Sequence, residues 1–196
     1  KEQVVKEGAT RIEFRCSSYH QNSALYPIIT HVQQLLQLRR DDSSQVKLEK
    51  LEPVLAQYRF PQAETVPLFA SLLSLPHPDG YPPLNLSPQT QKQKTQEALV
   101  AWLFEETEKM SVYSAWEDLH WADPSTLELL GLLIEHTATA RLFVLLTSRP
   151  EFTPPWGRAG HFSQLTLSRL GRRQVPQMIE KATGGKALPG EVVQQI

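Results

Sequence analysis

Cysteine is nearly missing from this sequence. Cys16 is the single one in 196 residues, which excludes an internal disulfide and fits a reducing, cytoplasmic setting. Long apolar runs are missing as well. None approaches the ~20 residues that a membrane-spanning helix needs, and the charged start KEQVVKEG has no signal-peptide core, so no membrane partner is expected. Basic residues show no excess. Lys and Arg number 20 against 21 Asp and Glu, a net charge of -1, which argues against a nucleic-acid surface. No repeat of solenoid period is visible. There is no initiator methionine, and both ends cut through helical patterns, so a fragment is expected.

Against these absences, 40% of residues are hydrophobic and 21% charged, enough apolar surface for a globular core. The length suits one domain, or one domain and part of another. The most informative stretch runs from Val112 to Leu130, VYSAWEDLHWADPSTLELL. Val112 to Trp116 suits a buried strand, and Glu117 and Asp118 fall where that strand ends. Asp123 is a candidate helix N-cap with Pro124 at the first helical position, and Leu127, Leu129, Leu130, Leu133 and Ile134 give the helix an apolar face. Strand, acidic pair, loop and helix is the layout by which α/β proteins present chemistry at the carboxyl edge of a sheet. Acidic groups there commonly hold Mg²⁺ and orient a water beside nucleotide phosphates. The plainer alternative is that Glu117 and Asp118 are solvated loop residues.

Upstream, Arg11 to Cys16 alternates polar and apolar residues and predicts a strand. A helix follows, capped by Asn22 or Ser23 and closed by Arg39 and Arg40. His20 and His31 match no common metal spacing. Further helical patterns cover Ser44 to Tyr58, with a kink or division at Pro53, and Pro61 to Leu75. A proline-rich connector, Pro76 to Pro88, leads into a long helix that starts at Ser87 and Pro88 and reaches about Lys109. Downstream, Arg141 to Ser148 is a continuous apolar run of the kind a doubly covered parallel strand shows, ended by Arg149 and Pro150. A strand at Gln164 to Leu167 is expected next. Helical patterns then run from Leu170 to a stop at Gly184 and Gly185, and again from Glu191.

EDLHWADPSTLELL resembles the Walker B segment of the signal-transduction ATPases with numerous domains, the STAND branch of the AAA+-related P-loop NTPases. It is most similar to the modules found in bacterial regulators beside adenylate or guanylate cyclase domains and helical repeats. RCSSYHQNSALYPII, LLTSRPEF, LTLSRLGRRQVPQMI and TGGKALPGEVVQQI extend the resemblance over nearly the whole chain. It implies an α/β fold with a parallel sheet. Residues 1–168 would be a partial nucleotide-binding core, with a helical insertion over about 22–110. Residues 169–196 would start a helical lid. It implies ATP and Mg²⁺ as cofactors, Glu117 positioning the metal through water, and Asp118 orienting or deprotonating the attacking water, so that both are metal-site and catalytic candidates. Arg149 would be the sensor of the terminal phosphate, and its planar donors suit phosphate oxygens. The partners implied are a nucleotide and other domains of the same chain.

The phosphate-binding loop of that family, G-x-x-x-x-G-K-[ST], is not in this sequence. The sole Gly-Lys pair, Gly185–Lys186, has Glu180 where the first glycine belongs and Ala187 where a hydroxyl is needed. The family's order puts the strand before that loop between the third strand here and Gln164–Leu167. The parent is therefore expected to be a Mg-dependent ATPase switch, and this fragment alone to be inactive. A non-hydrolysing scaffold or protein-interaction module is the rival. Tyr113, Ser114 and Ala115 make the Walker B strand less aliphatic than the family's, and a buried Ser114 needs a hydrogen-bond partner.

Overall fold

The computed structural model describes residues 8–157, 161–168 and 174–184. The chain divides into two units, Lys1–His161 and Phe162–Ile196. In the first, the order is β1 (Thr10–Arg15), α1 (Tyr26–Leu35), α2 (Ser44–Leu55), α3 (Gln62–Leu72), α4 (Pro88–Lys109), β2 (Val112–Glu117), α5 (Pro124–His136) and β3 (Leu142–Leu146). The strands form a parallel sheet in the order β1-β2-β3, so the protein is α/β.

The register sets which side chains meet. Thr10, Val112 and Leu142 are neighbours, and two residues on so are Ile12, Ser114 and Val144. With Phe14, Trp116 and Leu146 these make one face of the sheet, because successive strand residues point to opposite sides. That face is dry. Ile12, Phe14, Val112, Ser114 and Trp116 are all buried, and Phe14 stacks on Trp116 with ring centroids 4.0 Å apart. Ser114 finds the partner it requires inside its own strand, since the Trp116 indole Nε1 donates to its Oγ at 2.9 Å. Helix α1 packs on β1, and α5 packs on α1 and α4. The opposite face carries Tyr113, Ala115, Phe143 and Leu145 beside Arg11, Glu13 and Arg15. Among the described residues Phe143 is 61% and Leu145 41% exposed, although the apolar run of β3 predicts cover on both sides.

The helices follow their local signals. Ser43 and Ser87 cap α2 and α4, accepting from Val46 and Thr90 N–H. Pro53 is accommodated inside α2, which ends two residues later instead of dividing. Helix α1 departs most from expectation. It begins at Tyr26, after Leu25 in the left-handed region at φ 56, and neither Asn22 nor Ser23 caps it. It also stops at Leu35, because Gln37 turns left-handed at φ 50 and closes the end. Leu38 N–H donates to Gln33 C=O and Gln37 N–H to Gln34 C=O, the Schellman pattern. Arg39 and Arg40 therefore lie beyond it. Among the described residues no helix is long and apolar enough to cross a membrane.

In the second unit the strand expected at Gln164–Leu167 is not formed. Among the described residues they join no ladder, and Leu165 and Leu167 are 83% and 81% exposed. The helix expected beyond Leu170 is present as α6 (Gln174–Ala182), followed by Gly184 at φ 63. Of the helical turns expected over 1–8 only Gly8, at φ 74, is described, and those expected from Glu191, with the Gly185–Lys186 pair, fall outside the described residues.

Candidate functional site

Two strand ends and the turns after them build the carboxyl edge. Glu117 is the last residue of β2 and lies in register with Arg15, the last of β1. The Arg15 guanidinium donates through Nε at 3.0 Å and Nη2 at 2.8 Å to one Glu117 oxygen, Oε2. That hydrogen bond, with the charge of Glu117, raises the already high pKa of Arg15. Any cation approaching Glu117 meets a carboxylate that a guanidinium already holds.

Asp118, next along, leaves the strand by a sharp turn. Its backbone sits in the left-handed region at φ 60, ψ 44, which costs roughly 1–2 kcal/mol for an L-residue and persists only where surroundings enforce it. Its N–H donates to the Thr147 hydroxyl at 3.1 Å, the following N–H of Leu119 to the Thr147 carbonyl at 2.9 Å, and its own carbonyl accepts from Trp121 N–H at 2.9 Å. The side chain is exposed and accepts no hydrogen bond among the described residues. So among the described residues one of the two carboxylates is paired and the other is exposed without a hydrogen-bond partner, on a braced backbone.

The turn Leu119–Trp121 buries Leu119 and sets His120 and Trp121 side by side, ring centroids 4.9 Å apart. Among the described residues neither buried His120 nitrogen has a hydrogen-bond partner. The Arg149 guanidinium lies 5.6 Å from the Trp121 ring centroid, a cation–π contact, so Trp121 brings the sensor candidate to the same edge as the acidic pair.

Asp123 belongs to the framework. It is 3% exposed, and its Oδ1 accepts from Ser125 and Thr126 N–H at 3.0 and 3.1 Å and from Leu25 N–H at 3.2 Å. The Thr126 hydroxyl donates to Oδ2. One carboxylate thus caps α5 and also holds the first turn of α1, which explains how α1 starts without a cap of its own. Cys16 lies beneath, and burial, with the charges of Asp123 and Asp118 adding, pushes its thiol up to about 12. His20 stacks on Tyr26 at 3.5 Å, while His31 meets Phe14 edge-on at 5.2 Å, and burial lowers its pKa.

As hosts for Mg²⁺, the residues present offer two hard carboxylates. Among the described residues no group of three His, Cys, Asp or Glu could enclose a metal. That donor set fits a cation that keeps its waters and takes one or two carboxylates together with phosphates. The backbone cradle for the phosphates themselves is not in this chain.

Sequence reasoning passed over Arg15 and Thr147. Arg15 was accessible in principle: it closes the alternation R-I-E-F-R, so parallel pairing sets it opposite the acidic end of the next strand. Thr147 was not, because its role depends on the left-handed turn at Asp118.

The comparisons with known proteins are sparse. No family model matches the chain, and no solved structure does. An uncharacterized protein of Rhizobium meliloti (strain 1021) is 30% identical over 86 residues, 44% of this chain. The chain spans 8% of the length of that curated relative.

Proposed function

We propose that this chain is the Walker B and sensor portion of an ATP-binding signal-transduction switch of the STAND type, in a P-loop NTPase fold. Its helical insertion over about 22–110 and the helix after Leu170 would join the core to other domains of the same protein. The observation that carries the reading is Asp118: a free carboxylate on a strained, braced turn, at the carboxyl edge of a parallel sheet, beside a second carboxylate. Strain of that kind clusters at functional sites. Bound Mg²⁺ would neutralise charge on the phosphates. Of the chain's own residues, Glu117 would position the hydrated metal once Arg15 releases an oxygen. Asp118 would orient the attacking water and accept its proton, and Arg149 would pair with the terminal phosphate.

A scaffold that never hydrolyses nucleotide is the second reading, and the Arg15–Glu117 pair favours it, since there the first carboxylate serves to tie two strands. Asp118→Asn in the full-length protein separates the two. It keeps the shape and removes the charge, so ATP binding should persist while turnover falls by about 10²-fold or more, the scale of a lost general base. Wild-type turnover in that variant overturns the catalytic role of Asp118. Calorimetric titration of the present chain alone with Mg-ATP should show no micromolar binding, because it has no cradle for the phosphates.

A further inference from the structure

We infer that Thr147 is the positioning residue for Asp118, and that its hydroxyl couples the end of β3 to the carboxylate at the end of β2. The inference rests on the proposed ATPase reading for its catalytic consequence, but its geometry stands independently. Thr147 engages the neighbouring strand end three times. Its N–H donates to the Trp116 carbonyl at 2.9 Å, its carbonyl accepts from Leu119 N–H at 2.9 Å, and its hydroxyl accepts from Asp118 N–H at 3.1 Å. The first two bonds are backbone, and any residue but proline would make them. The third belongs to the side chain alone, and it lands on a residue whose backbone is left-handed.

Trp116, Asp118 and Leu119 are therefore held on either side of Glu117 by a single residue of the next strand. The hydroxyl fixes the Glu117–Asp118 peptide plane, from which the φ of 60 aims the side chain, so releasing that plane would swing the carboxylate with it. Arg149 lies two residues beyond Thr147 and is held separately against Trp121. A ligand that pulls Arg149 would displace the end of β3, and the Thr147 hydroxyl is the link through which that displacement reaches Asp118. The residue type is specific: valine copies the shape of threonine but accepts no hydrogen bond, whereas serine keeps the acceptor.

Two measurements on Thr147→Val and Thr147→Ser decide the matter. The first is amide hydrogen exchange by NMR on the chain itself. In Thr147→Val the Asp118 amide should exchange about ten-fold faster, while the Leu119 amide, bonded to the retained carbonyl, should not change. Serine should restore Asp118. Equal acceleration at both amides, or none at Asp118, overturns the inference. The second is Mg-ATP turnover in the full-length protein. Thr147→Val should keep nucleotide affinity within about two-fold and lower kcat about ten-fold or more, as small misplacements of a reacting group do, with serine recovering most of it. An unchanged kcat in Thr147→Val overturns the coupling. Wild-type protein that binds no ATP would instead sink the ATPase reading, and the inference would then stand or fall on the exchange result.

Discussion

Asp123 is worth more than a helix cap, because its two oxygens serve donors from two helices. A lost cap costs about 0.5–2 kcal/mol, and an orphaned buried donor about 1–3 kcal/mol. Asp123→Ala should therefore cost about 2–4 kcal/mol in denaturant unfolding, and Asp123→Asn, which keeps an acceptor for Oδ1's donors, distinctly less. His31 sets a pH dependence at the same scale. Burial lowers its pKa below the usual 6.5, so the unfolded chain binds the proton first. The stability held by neutral His31 is full above about pH 6.5 and declines as pH falls toward the lowered folded value. Melting curves of His31→Phe and wild type should converge on acidification, with the wild type losing more between pH 7 and 5. Both residues were named from the sequence. The Asp123 cap was legible because Asp-Pro-Ser-Thr is a local signal. Its bond to Leu25 was not, since the two lie 98 positions apart.

At the scale of the element, both ends of α4 matched their local signals, whereas both ends of α1 departed from theirs. The Ser87–Pro88 start of α4 and the Asp-Pro start of α5 were readable. The end of α1 was not, because Gln37 performs the turn that glycine usually marks. That exception gives a test. A left-handed non-glycine residue costs about 1 kcal/mol or more, and Gln37 is exposed. Gln37→Gly should thus raise stability, by about 0.5–1 kcal/mol, although glycine at an ordinary helical position would lower it. Unfolding midpoints of the two variants, Gln37→Gly and Gln33→Gly, should move in opposite directions. The three strands of the sheet were legible because alternation in β1 and a continuous apolar run in β3 are period signals. The fourth, at Gln164–Leu167, failed because two leucines in alternation make a strand only where another strand accepts them.

For the whole molecule, an α/β architecture could be read from strand and helix spacing, and the site's two carboxylates from their position after β2. What local spacing alone could not disclose was which of the two is paired, since that depends on Arg15, 102 positions upstream of Glu117, and on the parallel pairing that sets the two opposite each other. The sheet face with Phe143 and Leu145 has a practical outcome. Purified at high concentration, this polypeptide should behave as a sticky colloid, with light scattering that grows with concentration and a bright signal from an apolar-seeking dye such as ANS. Phe143→Lys, on an exposed position whose ring stacks on Tyr113 of the same face, should dim the dye and clear the solution with little change in melting temperature. An equally bright and turbid Phe143→Lys sample would mean that the adhesive patch lies elsewhere.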